Sequence, residues 1–152
     1  MFTWTLMHGR VLTGEKLEKR GIGGPFRCPL CVVDAKNISH LFLTCPYAIS
    51  VWMEVLKRWG DGMQLPDHIQ DCFLNWDKLY QGELNKKNGV KACWMKLPKI
   101  ICWCIWNERN HRIFQDNFQP VWKISAKVNA LLGEVVSTSN PDIRKKKEMF
   151  KP

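Results

Sequence analysis

Acidic side chains are in short supply in this sequence, with 14 Asp and Glu set against 23 Lys and Arg over 152 residues. Long apolar runs are missing as well. The most apolar stretch, ACWMKLPKIICWCIW (92–106), is interrupted by Lys96, Pro98 and Lys99 and is too short and broken to serve as a membrane span. The opening MFTWTLMHGR lacks a basic region leading into an apolar core and a small-residue cleavage site, so no secretory leader is expected. The seven cysteines are odd in number and clustered rather than dispersed. That usage argues against a secreted disulfide framework and points to an intracellular, reducing compartment, nucleus or cytoplasm. No segment alternates polar and apolar residues as a multi-stranded sheet requires, and no internal repeat is present.

What is abundant is aromatic and aliphatic mass. Eight tryptophans and seven phenylalanines supply one domain with a real core, or two small ones. A chain so rich in them is not disordered as a whole. The periodicity is helical. TGEKLEKRG predicts a helix capped by Thr13 and stopped by Gly21, with Leu12 and Leu17 for burial, before the flexible connector GIGGP (21–25). YAISVWMEVLKRWG places Val51, Trp52, Val55, Leu56 and Trp59 at helical spacing until Gly60. LPDHIQDCFLNWDKLYQG repeats the pattern with Ile69, Cys72, Phe73, Trp76 and Tyr80. A polar linker, QGELNKKNG (81–89), separates these from a long helix over about 90–114, which Pro98 is expected to kink or split. A last helix begins near Pro120 and carries Trp122, Val128, Leu131, Leu132 and Val135, and a basic tail follows. The fold class is therefore mainly α.

Cys28, Cys31, His40 and Cys45 fall in the pattern C-x2-C-x8-H-x4-C. The two-residue gap is a tight turn that brings two sulfurs to one metal, and Pro29 stiffens it. Three thiolates and one imidazole fill the four tetrahedral positions of a single Zn2+ ion. Such a closed shell leaves no position for water or substrate, so the metal is expected to be structural. Asn37 is placed to cap the short turn ISHLFL, and Cys45 to stand at the N-cap of the helix after it. Leu41, Phe42 and Trp52 are the expected dry wall of the site. A thioredoxin-like redox pair at Cys28 and Cys31, or a chance gathering of buried cysteines, are the competing readings. The redox pair lacks a βαβ setting and leaves His40 and Cys45 unexplained. Cys72, Cys93, Cys102 and Cys104 read as core thiols, and His8, His68 and His111 as surface or core histidines.

Larger motifs surround the cluster: Trp4 then HGR-LT (His8 to Arg10, Leu12, Thr13), L--RG (Leu17 to Gly21), CPLC (28–31), SHLF--CP (39–46) and VW (51, 52). Their combination resembles the zinc-binding domain that follows the reverse transcriptase in non-LTR (LINE-type) retrotransposons, abundant in plant genomes. LPKIICWCIWNERNHRIF further resembles the segment that trails this domain, so the likeness extends over roughly residues 2–118. The resemblance implies zinc on Cys28, Cys31, His40 and Cys45, a nucleic-acid context, and a remnant of a larger polyprotein. Paired polymerase aspartates, an endonuclease domain and a ribonuclease H core are all missing.

The layout expected on this basis is a zinc module over 1–60, an amphipathic helix on it over 61–80, the linker 81–89, a helical segment 90–136 and a flexible basic tail 137–152. Nucleic-acid contacts are expected from Arg10, Lys16, Lys19, Arg20, Arg27 and Lys36, with further basic residues at Lys86 to Arg112 and in RKKK (144–147). Phe26 and Phe42 are nearby candidates for base stacking, Phe42 packing inward by preference. The site also resembles a retroviral-type zinc knuckle with a longer loop, which favours RNA over DNA. Two alternatives stand beside this reading. One is a protein-interaction module that docks on a reverse transcriptase domain. The other is a metal-dependent nuclease built on Asp67, Asp71 and Asp77, for which no D/E-x-K motif follows.

Overall fold

The computed structural model describes residues 2–11, 13, 19–21, 27–33, 37–60, 62–80 and 90–139. Among these the regular structure is helical throughout: α1 (Phe2–Met7), α2 (Pro46–Leu56), α3 (Ile69–Leu74), α4 (Val90–Phe114) and α5 (Val121–Ser139). A π-helical turn, His40–Thr44, and a 3-10 turn, Trp76–Leu79, complete the set. The body of the predicted helix over 13–21, the connector at 22–25, the linker and residues 140–152 of the basic tail lie outside the described residues. Residues 137–139, expected in the flexible tail, instead continue α5.

The short helix α1 was not expected from the sequence, although Phe2 and Leu6 stand one turn apart. Its end explains the HGR motif. Gly9, at φ 61°, takes the left-handed conformation that closes a Schellman cap. The Gly9 N–H donates to Leu6 O at 3.1 Å and the Arg10 N–H to Thr5 O at 2.8 Å. Phe2 then packs inward beside Phe42, Trp103 and Trp106, with ring centroids 6.2, 5.2 and 6.1 Å away.

Two expectations change. The pattern over 65–82 is not one helix but α3 and the 3-10 turn, separated at Asn75, whose φ and ψ of −113° and 10° leave the helical range. The break turns Trp76 into the interior, where it is 2 % exposed. Pro98, by contrast, neither splits α4 nor ends it; the helix runs through a buried proline. Proline cannot donate to the carbonyl four residues earlier, here Trp94 O. The Trp76 indole Nε1–H supplies the missing donor at 2.8 Å, and the Trp94 indole returns a bond to Trp76 O at 3.1 Å.

The same two indoles stack at 4.6 Å with 21° between their planes. Trp52 adjoins Trp76 at 5.5 Å, while Trp59 and Tyr80 flank Trp94 at 5.2 and 5.7 Å. Helix α5 lies along both α4 and α2, so residues from both ends of the chain share one core. Cys72, Cys93, Cys102 and Cys104 are buried in it, as expected of core thiols. Burial pushes the thiols of Cys72 and Cys104 up to about 12 and 11, which keeps them protonated at neutral pH.

The proline and the indole predict a matched pair of effects. Trp76→Phe leaves Trp94 O buried without a donor and should lower stability by about 1–3 kcal/mol beyond the packing change. Adding Pro98→Ala restores a main-chain donor and should recover part of that loss, read as the shift in urea midpoint of the double variant relative to Trp76→Phe.

Candidate metal centre

The metal site is built by two turns and the start of a helix. In the first turn, the Cys28 N–H donates to Val33 O at 2.9 Å and the Val32 N–H to Cys28 O at 2.8 Å. This closes a knuckle whose main-chain N–H groups at Cys31 and Leu30 act on the Cys28 sulfur. Its geometry forces Val32 to φ 61°, a left-handed conformation that costs a side-chain-bearing residue about 1–2 kcal/mol. The second turn begins where Asn37 Oδ1 accepts the His40 N–H at 2.6 Å, the cap expected from the sequence. The bond from the Cys45 N–H to His40 O, 2.7 Å, spans five residues and gives the turn its wider π pitch. Cys45 then serves as N-cap of α2, with Pro46 in the first helical position. The N–H groups of Ala48 and Tyr47 favour its thiolate without closing a formal cap hydrogen bond.

The result is one compact set of ligand atoms. Cys28, Cys31, His40 and Cys45 place their sulfurs and imidazole nitrogen within 4.8 Å of one another. Zn–S bonds of about 2.3 Å in a tetrahedron imply edges of about 3.8 Å between sulfurs and about 3.6 Å between sulfur and nitrogen. The observed Cys28 Sγ–Cys45 Sγ and Cys31 Sγ–His40 Nε2 distances are 3.8 and 3.4 Å. The sulfur pair is far outside the disulfide length of about 2.05 Å, and both cysteines are free thiols. The donor set therefore fits one structural Zn2+ ion. Cys28 and Cys45 are buried, and Cys31 and His40 half-buried. Leu41, Phe42 and Trp52 wall the region, and the Trp52 Nε1–H donates to Phe42 O at 2.7 Å.

Residues 1–52 match the family described as zinc-binding in reverse transcriptase. The match spans 52 of the 152 residues, and all four candidate ligands fall within it. No curated protein and no solved structure matches the chain.

The zinc-binding segment is held from outside by α4. Arg112 Nη1 donates to the carbonyls of Pro29 and Leu30, at 3.4 and 3.0 Å, inside the CPLC knuckle. Its Nε donates to Glu108 Oε1 at 2.8 Å and its Nη2 to Gln119 O at 3.4 Å. The guanidinium lies between the rings of Tyr47 and Phe118, 4.4 and 5.2 Å from their centroids. Glu108, 1 % exposed, also accepts the Gln119 N–H at 2.8 Å. The Tyr47 hydroxyl donates to Gln119 O at 2.7 Å, and burial, reinforced by the Glu108 charge, pushes its pKa up to about 12. The sequence marks Pro29 only as stiffening the turn and Arg112 only as the end of a basic block expected to face nucleic acid. Arg112 is instead nearly buried against Glu108, at the i,i+4 spacing common for helical ion pairs.

Of the cations named from the sequence, Arg10, Lys19, Arg20 and Arg27 are exposed. The Arg10 guanidinium lies 4.9 Å from the Trp4 ring, itself stacked on His8 at 4.4 Å. Lys16, Lys36 and Phe26 lie outside the described residues, and Phe42 is fully buried. Asp67 precedes α3 while Asp71 lies within it, so this acidic pair does not share a helix face.

Protons and metal compete for the same sulfurs. Without metal, the hydrogen bond shared between the two sulfurs lowers the pKa of Cys28, while the same sharing and burial push that of Cys45 up. Metal binding must therefore expel at least the Cys45 proton. Zinc added to metal-free protein should acidify a weakly buffered solution, and bound zinc should be lost as pH falls; Cys45→Ser should diminish both signals. Separately, Arg112→Met strands a buried carboxylate and should cost about 3–5 kcal/mol in chemical denaturation, whereas Glu108→Leu with Arg112→Met should cost less.

Proposed function

We propose that the protein is a zinc-stabilised, non-catalytic nucleic-acid-binding module of the kind carried by non-LTR retrotransposon polyproteins, with RNA as its preferred ligand. The observation that carries this reading is the closed Cys3His shell, found inside a segment that matches the reverse transcriptase zinc-binding family. Four protein ligands saturate tetrahedral zinc and leave the metal no open position, so its contribution is to fold and orient its surroundings.

The chain's charge supports a polyanion as ligand. A formal +9 draws phosphate at long range, and exposed Arg10, Lys19, Arg20 and Arg27 all lie within the zinc-binding segment. Such contacts act through counterion release and carry no base specificity of their own. A reverse transcriptase domain is the natural second partner, and free thiols suit the nucleus or cytoplasm.

Titrating labelled RNA with zinc-loaded protein at increasing salt tests the reading. The logarithm of the association constant should fall linearly with the logarithm of salt concentration, by a slope of about −0.7 for each phosphate neutralised on a single strand. Chelation should weaken binding. Absence of binding at low salt, or affinity indifferent to salt, overturns the proposal.

A further inference from the structure

The connection between α4 and α5, together with the helix ends on either side of it, exposes three large aromatics in nine residues. Phe114, Phe118 and Trp122 are 77 %, 59 % and 64 % exposed. Two of them carry a cation on the ring. Arg112 stands 5.2 Å from the Phe118 centroid and Lys123 Nζ 5.8 Å from that of Trp122. Arg112 is itself fixed by Tyr47, Glu108 and the knuckle carbonyls, so Phe118 is seated on a cation whose position the metal-binding turn helps to set. Asp116 is the only acidic residue from Arg109 to Gly133, a stretch that also holds Lys123 and Lys127.

We propose that Phe118 and Trp122 form a base-stacking platform for single-stranded RNA, with Lys123 taking a phosphate. The proposal rests on the nucleic-acid reading above and supplies it with residues outside the family-matched segment. An aromatic face binds any unstacked base, while neighbouring cations track the backbone. Bases in a duplex are already stacked and offer no free face, which sets the preference for single strands. A protein partner would be expected on a patch depleted in lysine; here Lys123 adjoins the most exposed tryptophan.

The test uses the full zinc-loaded chain and a fluorescently labelled oligouridine, with an RNA duplex as comparison. Phe118→Ala and Trp122→Ala should each weaken oligouridine binding about tenfold without changing its salt slope. Phe118→Trp should keep the affinity, and Lys123→Ala should flatten the slope by about one phosphate contact. Trp122 supplies none of the hydrogen bonds or ring contacts described for Arg112, so its variant reads the platform even if Phe118→Ala loosens the knuckle. Wild-type binding that both alanine variants retain overturns the platform and leaves the nucleic-acid reading standing. No wild-type binding removes both. Concentration-dependent self-association abolished by Trp122→Ala overturns the platform in favour of a protein interface.

Discussion

The guanidinium of Arg112 is the point where the two ends of the molecule meet. It is nearly buried, paired with a carboxylate that has no exposure, and aimed at two carbonyls more than eighty residues away in the chain. Desolvating such an ion pair brings little net stability on its own. What it brings is position. The knuckle, the start of α2 through Tyr47, and the entry to α5 through Gln119 all converge on one planar group with donors at fixed angles. Glu108 keeps one carboxylate oxygen without a protein partner among the described residues, the one polar debt left in an otherwise satisfied network.

The metal-binding turn depends on that support and on zinc together. A β-branched residue in the left-handed region, 66 % exposed and with no packing to reward it, is an unfavourable element of the knuckle. Two main-chain bonds across Cys28, the ligand geometry and the Arg112 donors hold it there. Charge is balanced locally as well. Zinc with three thiolates has one negative charge in excess, and Arg109, its guanidinium 4.6 Å from the Trp106 ring, feels the Cys28 charge. Burial pulls its pKa down and the sulfur opposes that shift.

How far these features were legible in the sequence follows from their range. The ligands, the Asn37 cap, Cys45 at the head of α2 and the core thiols depend on neighbours within a turn or on simple apolarity, and the spacing of residues shows them. The continuity of α4 does not, because the donor that replaces the Pro98 N–H comes from Trp76, in an element broken by Asn75. Local propensity sees a helix breaker, and only the tertiary partner makes it harmless. The Arg112 network escaped for the same reason, since an i,i+4 ion pair looks alike whether it faces solvent or crosses the interior. Gly9 was visible as part of a motif, but its role as a helix stop needed the unforeseen helix before it.

Arg112 grips Pro29 and Leu30 by their carbonyls, not by their side chains. Any pair of residues that keeps the backbone in the same turn presents the same two acceptors. The grip of Arg112 therefore places no demand on the side chains at these two positions, provided the turn survives. Leu30 is constrained instead by its burial in the core, and Glu108 and Arg112 by the network itself. The constraint on this metal site is written partly in a helix that contributes no ligand to it.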